Sequence, residues 1–238
     1  MDGIVVGRLD VGEQDRIIRL LTAHLGLVSA WASRARAPRS PYTTLDLGVR
    51  ADVGLRARSR ADGGDLYTLT GVAVTEARVG IRGQLERLGA AAVACEVAGG
   101  LATSQADPRL FGCLETALLL LDQHPEPPGD GFVAGLLAKL LTFAGLAPAL
   151  ERCPACGVPP SAPMAWHPSG GGAYHVDHLP PDVAGSPRVD IDALAQLATL
   201  RRLPLLDAYL LPGEVGRMLS LAEAHLGHPL RARAWLRG

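Results

Sequence analysis

The sequence predicts a multi-domain α+β chain. A small N-terminal β-barrel spans residues 1–78, and an α-helical domain over 79–238 carries an inserted zinc-type loop at 147–181. Three observations predict this. The first 75 residues break into short apolar runs separated by turn signals, the pattern of consecutive short strands. From residue 81 the apolar period becomes helical. A Pro/Gly-rich stretch between helical segments then carries Cys153, Cys156, His175 and His178 in two pairs with equal inner spacing, the layout of a metal loop.

Residues 3–9 form the first apolar run, and Asp10-Val11-Gly12-Glu13 supplies a turn. Residues 16–22 form the second, His24-Leu25-Gly26 turns again, and 27–33 give the third. The segment 34–44 interrupts the pattern with Pro and Ser while grouping Arg34, Arg36 and Arg39. Residues 45–60 alternate apolar positions with Arg50, Arg56 and Arg58, as a strand with one solvated basic face would. After the turn Asp62-Gly63-Gly64-Asp65, residues 66–74 make a fifth strand. Five strands point to a barrel of the oligonucleotide-binding (OB) kind.

The first helix is expected from Ile81, with Leu85, Leu88, Ala92, Cys95 and Gly99 on one face and Gly99-Gly100 as its stop. The second opens at Pro108 after Asp107 and carries Leu110, Leu114, Leu118 and Leu121. The third covers 132–146, and two more lie near 190–203 and 212–226. Their leucine stripes read as a bundle core, and Cys95 and Cys113 as small buried hydrophobes.

With 48% apolar residues in 238, the chain has enough material for its own cores. It holds no apolar run of about 18 residues and no basic-then-apolar leader, so a cytoplasmic protein with no membrane partner is expected. Four cysteines in that setting favour thiols or metal over disulfides. The net charge of −1 is unevenly spread: residues 1–60 carry ten Arg against six acids, and the remainder 13 basic against 18 acidic residues. The basic surface therefore belongs to the N-terminal part.

Cys153, Cys156, His175 and His178 make a closed tetrahedral donor set, suited to a structural Zn2+ that holds shape and does not catalyse. A segment so rich in Pro and Gly has almost nothing apolar to bury, and a metal would replace the missing core. The two histidines stand at the spacing of a cysteine pair rather than the wider spacing usual for zinc histidines. A metal-free loop with incidental histidines is the alternative. A catalytic reading also exists, since His124-Pro125-Glu126 upstream of Cys153-Pro154-Ala155-Cys156 imitates a zinc-dependent nucleobase deaminase. Arg152 rather than Pro precedes the first cysteine, however, and the His-Pro-Glu lies in a breaker-rich run.

Arg34, Arg36, Arg39, Arg56 and Arg58 are the candidate DNA-binding residues, because a row of guanidinium groups neutralises successive phosphates without reading sequence. A solvated charged face with no partner is the competing reading. Trp31 and Tyr42 flank the basic loop and are candidates for base stacking, with barrel core the alternative for Trp31. Arg201 and Arg202 either extend the DNA track or complement a helix C-terminus. No nucleophile, paired carboxylates or phosphate loop is visible, and Ser169-Gly170-Gly171-Gly172 lacks the following Lys-Ser/Thr. A non-enzyme is expected.

With these segments collected, the chain resembles the RecO family of bacterial recombination mediators. The resemblance rests on G-I-V-V-G-R-L-D-V-G-E-Q-D-R-I-I-R-L-L-T from Gly3, the turn at Gly26, S-R-A-R-A-P-R-S at 33–40, the C-x-x-C pair, and P-L-R-A-R at 229–233. It implies an N-terminal OB barrel, a helical body and a zinc loop that some members lack. It further implies a non-enzymatic role on single- and double-stranded DNA: annealing strands, meeting the acidic C-terminal tail of single-strand binding protein (SSB), and loading RecA together with RecR. The expected location is then the nucleoid. A protein-docking module with incidental DNA binding stands beside this reading.

Overall fold

The computed structural model describes residues 1–58 and 66–236. Arg60 and the expected turn Asp62-Gly63-Gly64-Asp65 lie outside the described residues. The chain divides into two compact units, Met1–His124 and Pro125–Gly238.

In the first unit, strands β1 (Asp2–Val11), β2 (Asp15–Thr22), β3 (Gly26–Ala32), β4 (Arg50–Arg58) and β5 (Leu66–Glu76) close into a barrel of order β1-β2-β3-β5-β4. Antiparallel pairing joins every neighbour except β3 and β5, which run parallel through Ser29↔Leu66, Ala30↔Tyr67 and Trp31↔Thr68. Closure comes from Asp2↔Asp52, Gly3↔Ala51 and Ile4↔Arg50. Inward positions are filled by Val5, Ile18, Leu20, Ala30, Ala32, Ala51, Val53 and Leu69. The five-stranded OB-like barrel is thus present, and alternation of small and branched side chains fills its interior.

The fourth strand is shorter than its sequence pattern. It starts at Arg50, and a 3-10 turn at Pro41–Thr44 precedes it. Leu45 and Val49, expected on a strand, instead join the barrel core from this connection. Nor is Arg50 on a solvated face. Its guanidinium grips Asp2 through two bonds of 2.6 and 2.9 Å and reaches Glu115 at 2.9 Å.

Helices α1 (Leu85–Leu101) and α2 (Pro108–Gln123) pack in the same unit. Ile81 lies in a separate 3-10 turn at Val79–Gly83, so α1 begins later than the period implied. Its first turn is also rotated relative to expectation: Leu85 is exposed and Arg87 is buried. The Arg87 guanidinium donates to the carbonyls of Leu121, Asp122 and His124, where a cation meets the negative end of α2. Gly99 does not stop the helix. A Cβ there would stand 3.1 Å from Val6 Cγ2, so glycine is what lets α1 lie directly on β1.

Arg78 is almost fully buried and pairs with Glu115 at 2.7 Å and Glu76 at 3.2 Å. Glu115 therefore bridges Arg50 of β4 and Arg78, which lies just beyond β5. Glu115→Ala is expected to cost about 2 kcal/mol, because a buried guanidinium loses its shorter partner while Glu76 remains. Chemical denaturation of wild type and variant checks this.

In the second unit, α3 (Asp130–Phe143) is the apolar centre, and α4 (Ile191–Arg202) and α5 (Val215–Leu226) pack on it. Nearly every α3 side chain from Phe132 to Leu141 is buried, and Phe132 meets Tyr209 with ring centroids 4.8 Å apart. Between α3 and α4 a small sheet forms in the order β7-β6-β8, from β6 (Met164–His167), β7 (Gly172–His175) and β8 (Arg188–Val189). This corrects the expectation that the loop has nothing to bury: Met164, Ala165, Trp166 and Ala173 are all at most 2% exposed. Trp166 Nε1 donates to Ser220 Oγ at 3.2 Å, which ties the sheet to α5. Among the described residues no helix is long and apolar enough to cross a membrane.

Candidate metal centre and basic barrel surface

The metal centre is built from two tight turns. In Cys153-Pro154-Ala155-Cys156-Gly157, the Gly157 N–H donates to Cys153 O at 2.8 Å and the Cys153 N–H to Val158 O at 3.0 Å. Gly157 closes the turn at φ 72°, a left-handed conformation that glycine adopts without a steric penalty. The second pair comes from the end of β7 and the following 3-10 turn at Val176–His178. Met164↔His175 pairing fixes the position of the first histidine.

The four donor atoms lie within 4.8 Å of one another. Cys153 Sγ stands 3.8 Å from His178 Nδ1, and Cys156 Sγ 3.4 Å from His175 Nδ1. Zinc bound tetrahedrally by S and N places neighbouring donors about 3.3–3.8 Å apart, so the cross-pairs already have the required edge. The two imidazoles sit edge to face, with centroids 5.4 Å apart, and Ser161 Oγ meets His175 Nε2 at 3.1 Å. That outer hydrogen bond orients the ring so that Nδ1 faces inward.

Burial pushes the Cys153 thiol up, but the backbone N–H of His175, that of Cys156, the His178 ring and the Ala155 N–H outweigh it and hold the group at about 6. The thiolate, which is the metal-ligating form, is therefore favoured. Donor chemistry, spacing and turn geometry all fit a metal ion, and the sequence-predicted quartet is brought together in full. Neither His124 nor Glu126 belongs to this quartet. A fully protein-ligated tetrahedron also leaves no position for an activated water.

On the barrel, Arg34, Arg36 and Arg39 occupy the connection that leaves β3, and all three are exposed. Two acids on β1 and β2 shape this loop. Asp15 Oδ1 accepts the Arg34 N–H at 2.6 Å, where Arg34 adopts φ 54°, and the Arg36 N–H donates to Gln14 O at 2.9 Å. The Arg36 side chain lies 3.6 Å from Asp10, which also binds Arg16 at 2.6 Å. Arg16, followed by Arg36, holds the Asp10 carboxyl below its ordinary range. The side chains of Arg34, Arg39 and Arg56 form no ion pair among the described residues.

Arg56 pairs with Thr68, and Thr68 pairs with Trp31. Ala30 and Ala32 belong to the barrel core, so by strand alternation Trp31 faces outward. The core alternative for Trp31 is thereby overturned. A run Val28-Ser29-Ala30-Trp31-Ala32 alternates whichever face is inside, and only the narrow interior, which takes alanines, decides it. Arg58 holds the β4 position opposite Leu66. Tyr42 turns the other way: it packs on the barrel core and its hydroxyl donates to Leu69 O at 3.1 Å.

Arg201 and Arg202 end α4 and both bind the Glu151 carboxylate, Arg201 at 2.6 Å. Arg201 also donates to Pro148 O at 3.2 Å. With its side chain 18% exposed, Arg201 works as a clamp between helix α4 and the entry to the metal loop. Arg202 keeps a 62% exposed side chain. Glu151 and the loop-orienting acids Asp10 and Asp15 are the residues missed by sequence reasoning, since a carboxylate far along the chain gives no local signal of its partner.

The chain thus combines a closed OB-like barrel that carries a basic loop with a helical unit that holds a Cys2His2 cluster. The family model described as "Recombination protein O N terminal" matches residues 1–78, and "Recombination protein O C terminal" matches 82–233. The DNA repair protein RecO of Anaeromyxobacter sp. (strain Fw109-5) is 34% identical over 252 residues, covering 99% of this chain and 94% of its own. That of Rubrobacter xylanophilus is 31% identical, covering 94% and 89%, and that of Bifidobacterium adolescentis is 32% identical, covering 84% and 80%. The chain belongs to the RecO family. This is a family of DNA repair proteins, not of enzymes.

Proposed function

We propose that this protein is a DNA-binding recombination mediator whose barrel, residues 1–78, holds nucleic acid while residues 79–238 form the helical body. The observation that carries the reading is the exposed loop bearing Arg34, Arg36 and Arg39, which opens three residues beyond Trp31, with exposed Arg56 two strands across the barrel from Trp31. These side chains neutralise phosphates one by one, on single strands and on duplex, and Arg58, whose side chain lies outside the described residues, is proposed to join them. Two strands held on one basic surface repel less, which promotes annealing. Arg202 extends the cationic surface of the second unit. The Cys153, Cys156, His175 and His178 centre holds a structural Zn2+ that fixes the fold of its own loop. Family membership supports the remaining roles: cooperation with RecR, contact with the acidic C-terminal tail of SSB, RecA loading on SSB-coated strands, and a cytoplasmic, nucleoid-associated location.

The test is a salt titration of single-strand binding. Five phosphate contacts predict a slope of about −3.5 in log K against log salt. Affinity that stays flat between low and moderate salt rejects the reading.

A further inference from the structure

The basic loop rests on two acids of the wrong sign for a surface that holds phosphates, Asp10 on β1 and Asp15 at the start of β2. Their geometry differs. Asp10 faces guanidinium groups, Arg16 at 2.6 Å and Arg36 at 3.6 Å, and so draws charge off the loop. Asp15 holds backbone instead: its Oδ1 accepts the Arg34 N–H at 2.6 Å. Arg34 stands there at φ 54°, in the left-handed region that an L side chain enters only at a cost. The next residue, Ala35, is fully buried in the barrel core, and the Arg36 N–H donates to Gln14 O at 2.9 Å. The chain thus turns sharply at Arg34 and leaves Arg34 and Arg36 exposed on either side of a buried alanine.

We propose that Asp15 is a positioning residue for DNA binding, whose carboxylate holds the Arg34 backbone in the left-handed turn from which Arg34 and Arg36 meet adjacent phosphates. This deepens the proposed function and rests on it. A hydrogen bond from a backbone N–H to an ionised carboxylate is of the strong kind, and it offsets the conformational cost at Arg34. A loop already set in its bound shape loses less freedom when DNA arrives. Without the acceptor, Arg34 relaxes to negative φ and the loop leaves β3 along another course. The cations remain, but each phosphate contact then carries an ordering cost. The two acids consequently act in opposite directions. Asp10 competes with phosphate for Arg36, whereas Asp15 raises affinity although its charge repels the ligand.

The experiment measures binding of the full chain to a fluorescent oligothymidylate by anisotropy across a salt series, with thermal transitions recorded. Asp15→Ala is expected to weaken binding about fivefold at low salt with the salt slope unchanged, because no phosphate contact is deleted. Asp15→Asn keeps an acceptor oxygen and should bind at least as tightly as wild type. Asp10→Asn, the charge control, should tighten binding about twofold. Glycine enters the left-handed region freely, so Asp15→Ala added to Arg34→Gly should cause no further loss, a coupling that general damage to the barrel would not produce. Tighter binding by Asp15→Ala, an equal loss in Asp15→Asn, or the full loss repeated in the Arg34→Gly background overturns the positioning role and leaves the phosphate path standing. Wild-type affinity that stays flat with salt overturns the proposed function, and this role falls with it.

Discussion

Replacing Arg34, Arg36 and Arg39 together by glutamate is expected to weaken single-strand binding about 100-fold at low salt, or about 3 kcal/mol. The three side chains are exposed on one connection, so removing them takes away three phosphate contacts, and reversal adds repulsion. The salt slope should fall from about −3.5 to about −1.4, as only Arg56 and Arg58 remain. The fold should survive, because the loop is anchored by backbone bonds: Arg34 N–H to Asp15, and Arg36 N–H to Gln14 O. Filter binding or fluorescence anisotropy across a salt series reads both quantities. An unchanged slope would show that phosphates bind elsewhere.

Cys153→Ser is expected to abolish metal binding and unfold the 147–181 loop. Cys153 is 1% exposed and its sulfur faces His178 Nδ1 at 3.8 Å, so the variant loses the most enclosed donor of the four. Structural zinc in small domains contributes on the order of 10 kcal/mol of folding free energy. Wild-type protein should carry about one zinc per chain, and a strong chelator should lower the thermal transition of the Pro125–Gly238 unit by more than about 10 °C. The buried side chains of the small sheet, Trp166 above all, offer a fluorescence reading of that loss. Absence of zinc from carefully purified protein, or indifference of the melt to chelator, would dismiss the centre.

The two units should respond separately to these changes. The arginine reversals alter affinity and leave zinc content intact, because their loop is held by groups of the barrel. Cys153→Ser alters the second unit, where Arg201 and Arg202 clamp Glu151 at the entry to the loop. Parallel measurement of zinc content and DNA affinity on both variants separates the two sites.

Much of the fold was legible because strands and helices announce themselves over a few neighbouring residues. The runs at 3–9, 16–22, 27–33 and 66–74 became β1, β2, β3 and β5, and the paired ligands gave the metal quartet complete. The misreadings came where a local pattern met a distant constraint. Alternation through 45–60 looked like one strand, yet Leu45 and Val49 were drawn into the end of the barrel. Gly99-Gly100 looked like a helix stop, but the close approach of β1 at Val6 required a small residue inside the helix.

By itself the sequence determined the period of β1, β2, β3, β5 and the helices, the excess of arginine at the front of the chain, and four Cys and His side chains at matched spacing, because these depend on residues close together along the chain. Tertiary structure alone decided the parallel β3–β5 closure, the outward turn of Trp31, the capture of Glu151 by two arginines, and the engagement of Arg50 by Glu115 from 65 residues away. Each of these is a meeting of groups that a single stretch of chain cannot specify. Which face of an alternating strand is buried, and which charge finds its partner, is settled only when the barrel closes and its interior has room for alanine but not for tryptophan.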